Sequence, residues 1–165
     1  MSVAAETEIL TSLDGTNTFQ AVYDAHYLRL VRVLKLDGLS LADSEDVAQE
    51  AFARALSRWR FVVRGHNPAG YVYKTAFRLR KRSRSSLEVP ESWEPSTPDH
   101  AQETIQRLDI QRLLARLSVT QRRCLVLHYL SDLPSVEIAE VLGIDSSTVR
   151  VHLHRARNQL ASDRA

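Results

Sequence analysis

The pattern that most constrains the fold lies near the C-terminal end, where two helical patterns flank a glycine turn. Residues 134–143 read PSVEIAEVLG and residues 145–160 read DSSTVRVHLHRARNQL, with Ile144 between them. A short helix, a turn containing glycine and a longer helix that opens with Asp, Ser or Thr are typical of a helix-turn-helix. The pattern predicts a second helix that can enter the major groove of DNA.

The apolar positions of this motif have the spacing that such packing needs. Ile138, Ala139 and Leu142 face inward on the first helix, and Gly143 permits the left-handed backbone of the turn. Asp145 is a candidate cap for the second helix. The buried stripe of that helix is predicted to be Val149, Leu153, Ala156 and Leu160.

The opposite face of the second helix is basic and hydroxylated. Short hydroxyl side chains suit phosphates, whereas Arg and His can reach base edges. The predicted DNA contacts on this face are Ser146, Ser147, Thr148, Arg150, Val151, His154, Arg155 and Arg157. The alternative is an ordinary helical hairpin with a polar outer surface.

The rest of the chain is also helical in pattern, and no strand pattern is present. The all-α prediction places helices at about 17–36, 43–59, 68–82, 102–117 and 120–130. Residues 60–67 contain Gly65 and are predicted to form a loop, Pro68 suits a helix start, and Ser118 is the expected cap of the helix at 120–130.

A proline-rich and acidic segment divides the chain. Residues 85–100 read SSLEVPESWEPSTPDH, which is typical of a linker. We therefore predict two small helical domains, at 10–85 and 102–163, joined by a flexible linker at 86–101.

The charge is unevenly distributed although the net charge is only +2. Residues 61–86 contain seven Lys and Arg and no Asp or Glu, and residues 71–85 read YVYKTAFRLRKRSRS. Sites for single-stranded nucleic acid combine aromatic rings with cations, because an unpaired base exposes a π-face beside a phosphate. Together with the basic helix of the helix-turn-helix, this segment predicts a second anion-binding surface.

Several classes of protein are disfavoured. No apolar run approaches the length that spans a bilayer, and the N-terminus lacks an export pattern. The single cysteine, Cys124, excludes an internal disulfide, so a cytoplasmic location is expected. Cys124 and His128 could form a nucleophile or ligand pair, but both lie in the apolar run CLVLHYL, where packing explains them better. We expect no catalytic residue, metal or cofactor.

Two segments resemble a known family. SVEIAEVLGIDSSTVRVHLHRAR (135–157) resembles region 4 of bacterial sigma factors, and DSEDVAQEAFARALSRW (43–59) resembles their region 2.2. The order of motifs is similar to that of the extracytoplasmic-function sigma factors, which retain only regions 2 and 4. The resemblance implies three partners: core RNA polymerase, through its largest-subunit clamp helices and its flap, promoter DNA, and an anti-sigma factor. No small-molecule substrate is implied.

The resemblance also implies roles for individual residues. The residues expected on the clamp helices are Asp46, Gln49, Glu50, Arg54 and Ser57. Candidate readers of a flipped-out base of the −10 element are Arg64, His66 and Asn67. The basic helix would contact the opened strand through Tyr71, Tyr73, Lys74, Phe77, Arg78, Arg80 and Lys81.

Helical spacing predicts how the basic helix is arranged. Val72, Ala76 and Leu79 would face the domain core. One exposed stripe would carry Lys74, Arg78 and Lys81, and another would carry Tyr73, Phe77 and Arg80. The alternative is that Tyr73 or Phe77 lies in the core and that Tyr71 packs and does not stack on a base. Many relatives have Trp at the position of Tyr71 and Arg-Asn at the positions of Phe77 and Arg78, so this helix departs from the usual pattern.

The sequence thus predicts a dissociable initiation factor. It would recognise −35 duplex through residues 135–157 and assist opening of the −10 region through residues 60–84. The alternative is a stand-alone helix-turn-helix regulator that binds operators without polymerase. Such regulators usually dimerise to match two half-sites.

Overall fold

The computed structural model describes residues 18–65, 67–84 and 109–162, and every regular element in those ranges is helical. The first half contains α1 (Phe19–Leu36), α2 (Leu41–Ser57), α3 (Trp59–Arg64) and α4 (Pro68–Arg84). In the second half, residues 109–115 are helical and are followed by α5 (Val119–Ser131), α6 (Ser135–Leu142) and α7 (Ser146–Ser162). The all-α prediction is confirmed.

Hydroxyl side chains set the starts of three helices. Thr18 Oγ1 accepts from the backbone N–H of Ala21 at 3.1 Å, which begins α1. Ser40 Oγ accepts from the backbone N–H of Asp43 at 3.1 Å and begins α2 slightly before the predicted boundary. The predicted cap of α5 is confirmed, because Ser118 and Gln121 form a reciprocal capping box.

Aromatic rings of α1, α2 and α3 pack together in the core of the first half. Phe19 meets the ring of Trp59 edge-on at a centroid distance of 5.4 Å, and Tyr23 meets Phe52 in the same way at 5.0 Å. Trp59 is only 4% exposed. Edge-to-face pairs of this kind add specific attraction to the burial of apolar area.

The predicted loop at 60–67 is partly wrong. The helix α2 ends at Ser57, and α3 then follows after a break at Arg58. Trp59 and Val62 of α3 are buried, so the apolar residues of WRFVVR anchor a short helix and do not form an open loop.

The two halves pack against each other through two helix pairs. The helix α1 lies against α5, and α4 lies against α6. An exposed ion pair, Arg29 Nη1 to Asp132 Oδ2 at 3.1 Å, joins α1 to the residue that follows α5. The predicted flexible linker at 86–101 falls outside the described residues. Within the described ranges, no helix is both long and apolar enough to cross a bilayer.

Candidate nucleic-acid interface

The helix-turn-helix has the geometry that its sequence predicts. The helix α6 ends at Gly143, whose φ of 69° lies in the left-handed region. The turn is fixed by the backbone N–H of Ile144, which donates to the carbonyl of Ala139 at 3.0 Å. Ile138 of α6 and Val149 of α7 are fully buried, so the two helices are locked together.

The outer face of α7 is solvent-accessible. Of the predicted contacts, Ser146 and Thr148 are half-buried in the first turn. The exposed ones are Ser147, Arg150, Val151, His154, Arg155 and Arg157. The structure therefore gathers all the predicted −35 contacts on one helix whose other face is fixed in the core.

Two side chains on this outer face are held in place by neighbours. Arg157 Nε donates to the hydroxyl of Tyr129 on α5 at 2.9 Å, and its guanidinium carbon lies 5.6 Å from the centroid of the Tyr129 ring. His154 Nε2 lies 3.0 Å from Asn158 Nδ2. Sequence reasoning missed Tyr129, which is 58% exposed although it lies in the apolar run CLVLHYL.

The basic helix α4 differs from its prediction on one side. Val72 and Ala76 are buried as expected, Arg78 and Lys81 are exposed, and Lys74 is half-buried. The predicted second exposed stripe is wrong: its three side chains are buried, at 0% exposure for Tyr73, 8% for Phe77 and 4% for Arg80.

The cause of this burial is the packing of the second half on α4 and α1. The Tyr73 ring also meets the half-buried imidazole of His26 edge-on, with centroids 5.8 Å apart. Burial raises the pKa of Tyr73 to about 12. Tyr71 remains half-buried at the edge of this packing. Contact of Tyr73, Phe77 and Arg80 with DNA therefore stays a prediction that requires this packing to open.

Arg80 is buried because a carboxylate compensates its charge. Its guanidinium pairs with the side chain of Asp37, and its Nη2 donates to the Asp37 backbone carbonyl at 2.6 Å. Arg123 Nε of α5 donates to the other carboxylate oxygen of Asp37 at 2.8 Å. Asp37 therefore joins two arginines, one from each half. No sequence pattern singled out Asp37 or Arg123.

The structure describes two of the three residues that are predicted to capture a flipped base. Arg64 is exposed at the end of α3, whereas His66 lies outside the described residues. Asn67 caps α4, since its Oδ1 accepts from the backbone N–H of Gly70 at 2.9 Å. Phe61 of the same helix α3, which the loop prediction missed, is an aromatic residue that is 73% exposed.

The predicted polymerase-facing residues form an exposed face of α2. Glu50 Oε1 accepts from Arg54 Nε at 2.6 Å, and Gln49 Nε2 reaches the hydroxyl of Tyr27 at 3.4 Å. The exposed members of this face are Asp46, Gln49, Glu50, Arg54 and Ser57. Their outward orientation is as predicted.

The Cys124 and His128 pair lacks the features of a reactive site. Burial raises the pKa of the Cys124 thiol to about 11, which keeps it protonated and weakly nucleophilic. His128 Nδ1 lies 3.2 Å from the carbonyl of Leu133, where it ties α5 to the following turn. Across residues 18–65, 67–84 and 109–162, no group of three His, Cys, Asp or Glu side chains could hold a metal ion.

Comparison with known proteins points to one family. Residues 107–160 match the family described as Sigma-70, region 4. The chain is 32% identical over 148 residues to the ECF RNA polymerase sigma factor SigL of Mycobacterium tuberculosis, covering 83% of each chain. It is 29% identical over 126 residues to the RNA polymerase sigma-E factor of Streptomyces coelicolor, covering 73% of this chain and 71% of the relative.

A solved structure has the same fold. The match is to CnrH in complex with the cytosolic domain of CnrY, with a TM-score of 0.62. It covers 96% of this chain and 94% of that chain, at 18% sequence identity.

Proposed function

Because the chain belongs to the extracytoplasmic-function RNA polymerase sigma factors, we propose that three of its surfaces divide the work of starting transcription. The protein is a transcription initiation factor and not an enzyme. The outer face of α7 binds −35 duplex, α3 and α4 with the segment between them engage the −10 element, and the outer face of α2 docks on the clamp helices of core polymerase.

The observation that carries this proposal is the outer face of α7. A fixed helix presents Arg150, His154 and Arg157 to solvent, while Val149, Leu153 and Ala156 anchor its other face in the core. In a helix-turn-helix, residues near the start of the second helix reach base edges, and more distant cations reach phosphates. Arg150 is therefore assigned to base recognition and Arg157 to the backbone.

Partners follow from the same assignment. The second half docks on the polymerase flap, and the protein works in the cytoplasm, where its DNA template is found. The complex of CnrH with the cytosolic domain of CnrY supports an anti-sigma partner for this chain as well. That partner would hold the factor inactive, at the membrane if the partner is anchored there.

The test is the separation of promoter binding from polymerase binding. We expect Arg150→Ala to weaken binding of polymerase holoenzyme to −35 duplex by about 1–3 kcal/mol, because one bidentate base contact is lost. Its affinity for core polymerase should stay unchanged. Arg112→Ala removes an exposed cation from the helical segment 109–115 and is the matched control. Equal loss of both kinds of binding by Arg150→Ala would contradict the division of labour.

Salt dependence gives a second measurement. If α7 neutralises several phosphates, the logarithm of the duplex binding constant should fall with the logarithm of salt concentration, with a slope of about −0.9 per phosphate. A nearly flat profile would contradict direct contact with DNA. Native co-purification distinguishes the two hypotheses. A sigma factor co-purifies with core polymerase, whereas a stand-alone regulator does not.

A further inference from the structure

We propose that Val151 reads the C5-methyl group of a thymine in the −35 duplex, so that the promoter is selected partly by an apolar contact. This role rests on the proposed function, in which the outer face of α7 enters the major groove. A single exposed valine is ordinary on a protein surface. What distinguishes Val151 is its place at the centre of a face that is otherwise polar and basic.

The position of Val151 follows from the helical repeat. The side chains that fix α7 in the core are Val149, Leu153 and Ala156, and each is at most 4% exposed. Successive residues of an α-helix are rotated by about 100°, so the two steps from Val149 to Val151 amount to about 200°. Val151 therefore points almost directly away from the core, and its exposed fraction of 46% agrees with that direction. When α7 docks by its outer face, this side chain points toward the base edges.

The neighbours of Val151 leave its methyl groups open to a ligand. Ser147 lies one turn earlier and has a short side chain, and His154 and Arg155 lie one turn later and are exposed. His154 Nε2 lies 3.0 Å from Asn158 Nδ2, which belongs to the following turn. A valine in a helix strongly prefers one rotamer, so it loses little freedom when it packs against a base. The outer face thus carries a rigid apolar surface between polar groups that can bond to DNA.

The chemistry of the base edges determines which base suits this surface. In the major groove, guanine, adenine and cytosine are distinguished by hydrogen-bond donors and acceptors, whereas thymine also presents a methyl group. A valine placed against a donor or acceptor removes its water without replacing the hydrogen bond, which is unfavourable. Against the thymine methyl group, two apolar surfaces leave water together.

The other side chains of α7 narrow the base preference further. Arg150 can donate two hydrogen bonds to guanine. The helix contains no Asp or Glu that could accept from the amino group of cytosine. Guanine and thymine are therefore the bases that the first two turns of α7 select.

The test uses holoenzyme assembled from the full chain and core polymerase. Duplexes are selected from a library that is random at −35, once with the wild type and once with Val151→Ala. Alanine has the higher helix propensity, so the variant keeps α7 intact. We expect Val151→Ala to lose its preference at one base pair, and the wild type to select thymine there. That thymine is then replaced by deoxyuridine, which lacks only the methyl group.

We expect the wild-type holoenzyme to bind the deoxyuridine duplex about fourfold more weakly than the thymine duplex, the factor that corresponds to one methyl group removed from water. Val151→Ala should bring this ratio close to one. Val119→Ala is the matched control, because Val119 is also 46% exposed but lies on α5, outside the helix-turn-helix. It should keep the wild-type ratio.

Three results would overturn the role of Val151. They are a selected base pair without thymine, equal binding of the two duplexes by the wild type, and a ratio in Val151→Ala that equals that of the wild type. A wild-type holoenzyme that selected no −35 sequence at all would be a different result. The proposed function would then fail, and the role of Val151 would fail with it.

Discussion

Tyr129 and Arg157 are joined by two interactions that hold the end of the basic outer face against α5. The hydroxyl accepts from Nε at 2.9 Å, and the ring lies beneath the guanidinium at 5.6 Å. A guanidinium that is already oriented loses less freedom when it contacts a phosphate. We therefore expect Tyr129 to act as a positioning residue for Arg157 in DNA binding.

The first prediction concerns this pair. Tyr129→Phe keeps the ring and removes the hydrogen bond, so we expect duplex binding to weaken by about 0.5–1.5 kcal/mol. In an Arg157→Ala background the same change should have no effect, because no guanidinium remains to be positioned. A double-mutant cycle on duplex affinity measures the difference. Additive effects would show that Tyr129 acts independently of Arg157.

The second prediction concerns the outer face of α2. Asp46→Arg reverses one exposed charge on the face assigned to polymerase, and we expect affinity for core polymerase to fall about tenfold, which is ~1.4 kcal/mol. Asp24→Arg reverses an exposed charge on α1 and serves as the control. Binding is measured by titration of labelled protein with core polymerase. If the two variants had equal affinities for core polymerase, the outer face of α2 would not be part of the interface.

The third prediction concerns the turn of the helix-turn-helix. Gly143 has a φ of 69°, a conformation that costs a residue with a Cβ about 1–2 kcal/mol. Gly143→Ala should therefore lower the free energy of unfolding by about that amount, although nothing lies within 4 Å of the new methyl group. Gly65→Ala is the matched control, since Gly65 has a φ of −74°. Urea denaturation of both variants tests the claim, and equal stabilities would contradict it.

The fourth prediction concerns pH. Burial is the main cause that lowers the pKa of His26 below 6.5, and repulsion from Arg29 lowers it further. The negative charge of Asp132 raises this pKa but does not outweigh the other two effects. The unfolded chain therefore takes up a proton more readily than the folded one. The contribution of His26 to stability is present above about pH 6.5 and is lost as the pH falls through its folded pKa.

His26→Gln should flatten that pH dependence, because it keeps a polar side chain and removes the titration. His154→Gln alters an exposed imidazole on α7 and is the control. The measurement is the free energy of unfolding in urea at pH values on either side of 6.5. A wild-type slope that persists unchanged in His26→Gln would assign the titration to another group.

The helix-turn-helix could be predicted because each of its features is local. A glycine at the turn, a hydroxylated first turn and a stripe at i, i+4 and i+7 are all readable within one stretch of sequence. The packing of Ile138 against the core and the left-handed Gly143 follow directly from that pattern. The contact between Tyr129 and Arg157 joins two helices, and the two residues lie 28 positions apart in the sequence. No local pattern could therefore show it.

The burial of the aromatic side of α4 could not be predicted for the same reason. The spacing of Val72, Ala76 and Leu79 predicts one face of α4 in the core, and it leaves open whether Tyr73 or Phe77 is also buried. Asp37 compensates the charge of Arg80 across 43 residues of sequence, and Arg123 completes the cluster across 86. The short helix α3 was missed because its helical run is only six residues long.

The central claim is that this chain directs core polymerase to promoters, and in vitro transcription on genomic DNA tests it most directly. With the chain added to purified core polymerase, mapped start sites should appear that share one −35 and one −10 sequence, and Arg150→Ala should weaken transcription from them. The contradictory result is a chain that binds intact duplex by itself and yields no new start site with core polymerase.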